Sequence, residues 1–207
     1  MILGLPPAMS AVLCLTYVLA GGPVLPPIQI AVRAPAGIPS ALIQHVCAET
    51  DAIWRPAGIT FEWHRVTSDD DSGDSQLVVT IDDQRKTGRP GQAPLGWITF
   101  TAGVPEKSIH LSRRTAEELL LRTADLPQHP IMFHDMLVGR ALGRALSHEV
   151  GHYLLESRDH TTQGLMRALV PSDQFFALGR FGFELTAEER ALAAWHVHTQ
   201  DRSADGS

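Results

Sequence analysis

The stretch Ala141-Leu-Gly-Arg-Ala-Leu-Ser-His148-Glu149-Val-Gly-His152-Tyr-Leu-Leu155 lies inside an unbroken helical pattern that runs from about His134 to Glu156. Its flanks Ala141, Leu142, Ala145, Leu146, Val150, Leu154 and Leu155 make a largely apolar helix. Two histidines and a glutamate are costly to bury in such a helix unless they have partners or a purpose.

Outward from this helix the chain reads in order. Upstream, Ile28-Gln-Ile-Ala-Val-Arg33 alternates in a β-rich composition and predicts a strand. Ser40 opens a helix that continues to about Arg55, where Pro56 and Gly58 stop it. Strand patterns follow at Ile59–Val66, Gln76–Asp82, Leu95–Thr101 and, more briefly, Ser108–Ser112. A helical pattern then covers Thr115 to Thr123, with Glu117 and Glu118 in its first turn. Downstream, Thr186 and Glu189 form a capping box at the start of a last helix bearing Leu192, Ala193 and Trp195. From Thr199 the composition turns polar and predicts a frayed tail. No repeat or long linker divides this order, so it describes one α+β domain over residues 27–199, with a polar tail at 200–207.

The composition narrows the function classes. With 44% apolar and 19% charged residues the chain has the makeup of an ordinary globular protein. A net charge of −6, with Lys and Arg scattered, lacks the basic stripe of a nucleic-acid binder, so nucleic acid is not an expected partner. Cys14 and Cys47 are the only cysteines, which excludes a disulfide scaffold and a cysteine-built zinc site. Any metal ligands must therefore be histidines or carboxylates. Cys47 reads as a small hydrophobe on a helix rather than a reactive thiol. The uncharged apolar run Ala11–Ala20, followed by Gly21, Gly22 and Pro23, reads as the core of a signal peptide within residues 1–22. It predicts export to a secreted or periplasmic location, although no Lys or Arg precedes Arg33. The run is too short to form a stable membrane span, though left uncleaved it could associate the chain with a membrane. A lipoprotein reading through Cys14 is disfavoured by bulky Leu13. The acidic stretch Thr67–Ser75 reads as a solvated loop, because Asp69, Asp70, Asp71 and Asp74 lack the ordered spacing and closing Glu of a calcium loop.

His148 and His152 stand at i and i+4, so they share a helix face and can hold one metal ion. Glu149 falls beside them, where its carboxylate can take a proton from a metal-activated water. A catalytic zinc needs a third protein ligand and an open position. His160, past the expected helix end near Ser157, is the favoured third ligand and Asp159 the second choice. Glu156 is one turn too far along the same helix. The pattern predicts one Zn2+ and a hydrolase with Glu149 as the catalytic base. The rivals are a structural zinc module that binds a partner without catalysis and a metal-free interaction domain. His45, His64, His110, His129, His134, His196 and His198 have no partner at ligand spacing.

His148-Glu-Val-Gly-His152, then His160, then Gly164-Leu165-Met166 resembles the metzincin clan of zinc metallopeptidases. In that clan the active-site helix is followed by a third histidine and a methionine-containing turn beneath the metal. The resemblance implies a twisted, mixed sheet of four or five strands, packed on an N-terminal helix and the long active-site helix, plus a C-terminal helix. It also implies a peptide or protein substrate, added as a strand along the edge strand near Leu95–Thr101, and Met166 as the floor of the site. A monomer is expected. The sequence departs from the clan in three ways. The clan's glycine and third-ligand positions are occupied by Leu155 and Arg158, so the third histidine is displaced by two residues. No tyrosine follows Met166, and no cysteine-switch segment is evident. Tyr153 and His134 are the candidates for an oxyanion-stabilising group.

Overall fold

The computed structural model describes residues 25–67, 75–86, 93–123 and 133–204. The leader at 1–22 with Cys14, the acidic run Asp69–Asp74 and the last three residues lie outside them. Five strands form one sheet in the order β2-β1-β3-β5-β4, where β1 is Ile28–Arg33, β2 Phe61–Val66, β3 Leu77–Asp82, β4 Gly96–Thr101 and β5 Val104–Ser112. The helices are α1 (Ser40–Trp54), α2 (Arg113–Arg122), α3 (His134–Leu154) and α4 (Ala187–Ala204). This is a single mixed α+β domain, as the order of patterns predicts.

The connections explain the strand directions. Between β1 and β2 the chain passes through α1, and a helical crossover returns the second strand parallel to the first. β3 is parallel to both β1 and β5. Strands β4 and β5 are joined by the two-residue turn Ala102-Gly103, with φ of 51° and 88°, so they form an antiparallel hairpin. This leaves β4 as the sheet's outer edge on that side. The registers place Ile30, Val32, Leu77, Val79, Ile81, Ile109 and Leu111 in the core, where α1 and α3 pack against the sheet.

Helices α1 and α3 approach closely because glycines face the contact. A Cβ at Gly139 would lie 2.5 Å from His45 Cβ, and one at Gly143 would lie 2.7 Å from Glu49 Cβ. Thr50 Oγ1 donates to the Gly143 carbonyl at 3.2 Å, across the same contact. Beside it, fully buried Arg144 donates from Nε to Glu49 Oε1 at 2.9 Å, and Arg180 Nη2 donates to Glu49 Oε2 at 2.8 Å. Arg144 also donates to the carbonyls of Gln174, Ala177 and Gly179 and lies over the Phe183 ring. A buried arginine keeps its charge and must be satisfied by acceptors. Arg144 therefore pins the connector between α3 and α4 to the helix pair.

Several boundaries differ from the expectations. Helix α1 begins behind Pro39 with no side-chain cap, and β5 is longer than its sequence pattern because residues from Val104 onward pair with β4. Helix α3 ends at Leu154 rather than Glu156, because Glu156 adopts a left-handed φ of 48°. Helix α4 runs to Ala204, past Thr199 where the polar tail is expected, and its N-terminus carries the reciprocal Thr186 and Glu189 bonds. Among the described residues no helix is long and apolar enough to cross a membrane.

Candidate metal centre

The last two turns of α3 bring His148 and His152 side by side, with their Nε2 atoms 3.1 Å apart. His160, in the loop after the helix, places its Nε2 3.3 Å from that of His148. Ligand atoms of the three residues all lie within 4.8 Å of one another. The other ring nitrogens of the helical pair are committed elsewhere. His148 Nδ1 donates to the Leu165 carbonyl at 2.8 Å, and His152 Nδ1 donates to the Ser157 carbonyl at 2.7 Å. A carbonyl only accepts, so in each neutral ring the proton sits on Nδ1 and Nε2 presents a bare lone pair.

Two bare lone pairs 3.1 Å apart repel and cannot hydrogen-bond. Protonating a ring would relieve this, but burial holds the His148 imidazolium unfavourable and pushes its pKa down to about 4, against the raising effect of the Leu165 carbonyl. His152 is lowered too, first by burial and then by His160, with the Ser157 carbonyl opposing. A cation between the nitrogens resolves the arrangement. A tetrahedral ion with metal–nitrogen bonds of about 2.0–2.1 Å sets its nitrogens roughly 3.3 Å apart, which matches the observed spacing. The half-buried His148, buried His152 and exposed His160 leave one side of the cluster open to solvent.

Glu149 is held from the sheet. Ile98 N–H on the edge strand β4 donates to Glu149 Oε2 at 3.0 Å. Gly96 lies close by, where an added Cβ would press on Leu111 Cδ2 at 2.8 Å and on the His110 carbonyl oxygen at 3.2 Å, while meeting Glu149 Cγ at an ordinary 3.5 Å. Burial raises the Glu149 pKa to about 7, against the lowering effects of the Ile98 N–H and the Lys86 charge. A carboxyl poised near neutrality can exchange a proton with water.

Beneath the helix, Met166 is buried, and a Cβ at Gly151 would overlap its Sδ. The turn that carries it is fixed by Gly164 with φ 78°, by Thr161 N–H on the Met166 carbonyl and by Leu165 N–H on the Glu184 carbonyl, each bond 2.9 Å. Thus Leu165 orients His148 while its neighbour Met166 supports the helix.

The chain leaves the helix through a left-handed residue that is not a glycine, Glu156 with φ of 48°. Glu156 Oε1 lies 3.3 Å from His196 Nδ1 of α4, a contact that a glycine there could not make. Replacing Glu156 by Gly or by Ala removes the same carboxylate, but only Ala retains a side chain at positive φ. The glycine variant is expected to be more stable than the alanine variant by about 1–2 kcal/mol in urea melts. Equal midpoints would show that the turn relaxes freely.

Asp159 is exposed, with its N–H on Ser157 Oγ, and is not among the converging ligand atoms. His134 sits at the other end of α3, roughly 20 Å from His148 by helical rise. His134 is thus not placed to act as the oxyanion group. Tyr153 is packed in the core. His110 stacks on Trp97 and His64 bonds Gln29, away from the cluster. Cys47 packs partly buried against the core, and burial pushes its thiol up to about 12, consistent with an inert side chain. The contributions of Ile98, Ser157 and Leu165 come from backbone groups and have no side-chain signature. Arg144 does have one, an arginine inside an apolar helical run.

No protein-family model matches the chain, and no curated protein matches it in sequence. Among solved structures, the archaemetzincin of Methanopyrus kandleri superposes with a TM-score of 0.53 at 12% identity, over 83% of this chain and 96% of that one. The five-stranded mixed sheet with its four helices and the single-domain arrangement have the archaemetzincin fold.

Proposed function

We propose that the chain is a zinc-dependent peptidase that hydrolyses peptide bonds by attack of water, with His148, His152 and His160 as metal ligands and Glu149 as the base. The observation that carries this is the set of converging lone pairs, held by Nδ1 bonds to Leu165 and Ser157 and next to a carboxyl tied to an edge strand. A zinc ion there would supply Lewis acidity, lowering the pKa of water and polarising a carbonyl. Glu149, held by Ile98, receives the proton of the attacking water and is placed to return it to the leaving amine. Strand β4 lies at the sheet's edge beside the cluster, where a peptide can lie along it, and Met166 supports the helix from below. The metzincin resemblance and the archaemetzincin fold favour this reading. Export is part of the proposal and rests on the apolar run Ala11–Ala20.

The rival, a zinc-stabilised binding module without turnover, is disfavoured by Glu149. A structural site closes its coordination with protein ligands and has no use for a carboxyl held by the edge strand beside an open side. Elemental mass spectrometry on untagged protein is expected to find one zinc per chain, and His160→Ala to lower zinc affinity by at least tenfold. Absence of zinc in the wild type after reconstitution would overturn the proposal.

A further inference from the structure

Arg158 stands where the clan places its third ligand, and its surroundings give it a different task. Its Nη2 donates to the Phe100 carbonyl at 3.1 Å, and its guanidinium carbon lies 4.7 Å over the Phe100 ring. The Phe100 ring in turn meets His152 edge-on, with centroids 6.4 Å apart. Arg158 is thus two contacts from the histidine cluster, on the edge strand proposed to hold substrate.

Ile98 N–H and the Phe100 carbonyl are both reached by α3 and its following loop, from the side of β4 away from β5. A peptide laid along β4 would present an N–H to the Phe100 carbonyl, but that acceptor already has a donor. Beside it stands a planar, donor-only fork. Arg85, Arg113, Arg114, Arg122, Arg144 and Arg180 each pair with a carboxylate, while Arg140, Arg167 and Arg190 bond carbonyl or amide oxygens from part-buried positions. Arg158 pairs with none among the described residues, and its exposed guanidinium uses one donor of five. Stacking on Phe100 and the bond to the strand hold it in one orientation, which lowers the entropy cost of binding. The chemical complement of such a fork is a carboxylate bound through two parallel N–H···O bonds.

We propose that Arg158 is a specificity-determining residue that recognises a carboxylate of the bound peptide where it runs past Phe100. This rests on the peptidase reading above. The carboxylate comes from an acidic side chain or from the peptide's C-terminus, and both present the same two oxygens.

The test uses zinc-loaded full-length protein and internally quenched peptides in which Asp, Asn or Lys is stepped through each position, made with free-acid and with amidated C-termini. The wild type is expected to favour Asp over Asn at one position, or free acid over amide, on the order of 10- to 100-fold in kcat/KM. Arg158→Gln should abolish that preference through KM, and Arg158→Glu should reverse it toward Lys, both with zinc content unchanged. A preference for the acid identical in wild type and Arg158→Gln, or no preference in the wild type, overturns the proposal. Binding of the same peptides, fluorescein-labelled, to zinc-loaded Glu149→Gln protein by anisotropy separates the two readings. Arg158-dependent binding of the acidic peptide without cleavage by the wild type would sink the peptidase reading and leave the recognition site standing. Binding indifferent to the carboxylate would sink the recognition site.

Discussion

Glu149→Gln is expected to lower peptide hydrolysis by about 10²–10⁴-fold while leaving zinc content at the wild-type level. The substitution keeps the volume of the side chain and an amide oxygen that can accept the Ile98 N–H, so the link between α3 and β4 survives. What is lost is a group able to take a proton from water. Zinc is retained because no ligand nitrogen is touched, and the Nδ1 bonds to Leu165 and Ser157 remain.

The same variant has an opposite signature in the zinc-free protein. The wild-type carboxyl titrates at about 7 when folded, against its ordinary 4.5, because burial disfavours its charge. Stability from this group is therefore present below pH 4.5 and is lost as pH rises through 7. Gln has nothing to ionise, so zinc-free Glu149→Gln is expected to outlast the wild type in denaturant at pH 8 and to match it near pH 4. His148 acts the other way, since its pKa is depressed from 6.5 to about 4 and its contribution is lost as pH falls through that interval. In wild type the two slopes oppose each other between about 4.5 and 6.5. In the variant the histidine slope stands alone, so its stability should climb with pH there. A variant with unaltered turnover would remove Glu149 from the mechanism.

The second large effect is expected far from the cluster's open side. Arg144→Met should destabilise the protein by about 3–5 kcal/mol. The methionine fills much of the space. It leaves the buried Glu49 with Arg180 as its remaining cation, and three connector carbonyls, those of Gln174, Ala177 and Gly179, without their donor. Against a total stability of about 5–15 kcal/mol this is a large fraction. Leu165 and Met166 lie in the connector that Arg144 pins, so zinc affinity should fall as well, through poorer orientation of His148. Urea melts and zinc competition with a chelator measure the two effects. A loss under about 1 kcal/mol would mean that water replaces the guanidinium and the connector is anchored elsewhere.

Much of this is visible in the chain itself, for identifiable reasons. Ile28–Arg33 is read correctly as a strand because alternation and a β-branched composition coincide there. His148, Glu149 and His152 are read together because helical periodicity alone brings i and i+4 to one face. His160 follows from the need for another ligand beyond the helix end. The helix end itself was misplaced by two residues, because a glutamate at positive φ leaves none of the trace that a glycine would. The groups that orient the ligands are backbone carbonyls and one backbone N–H, equally present at every position. The ion cluster of Glu49, Arg144 and Arg180 joins residues 95 and 131 positions apart, a separation that local pattern cannot bridge.

The three converging nitrogens all belong to residues 148 to 160, a short ring in the chain. Closing so small a ring costs little entropy, while the connector carbonyl of Leu165 supplies the orientation of His148 from outside it. If a metal is held there as proposed, so local a chelate lets the unfolded chain compete for it as well. The metal's net contribution to stability is then smaller than its affinity for the native protein alone would give. In such a division of labour the local segment would gather the ion, and the long-range fold would determine what is done beside it.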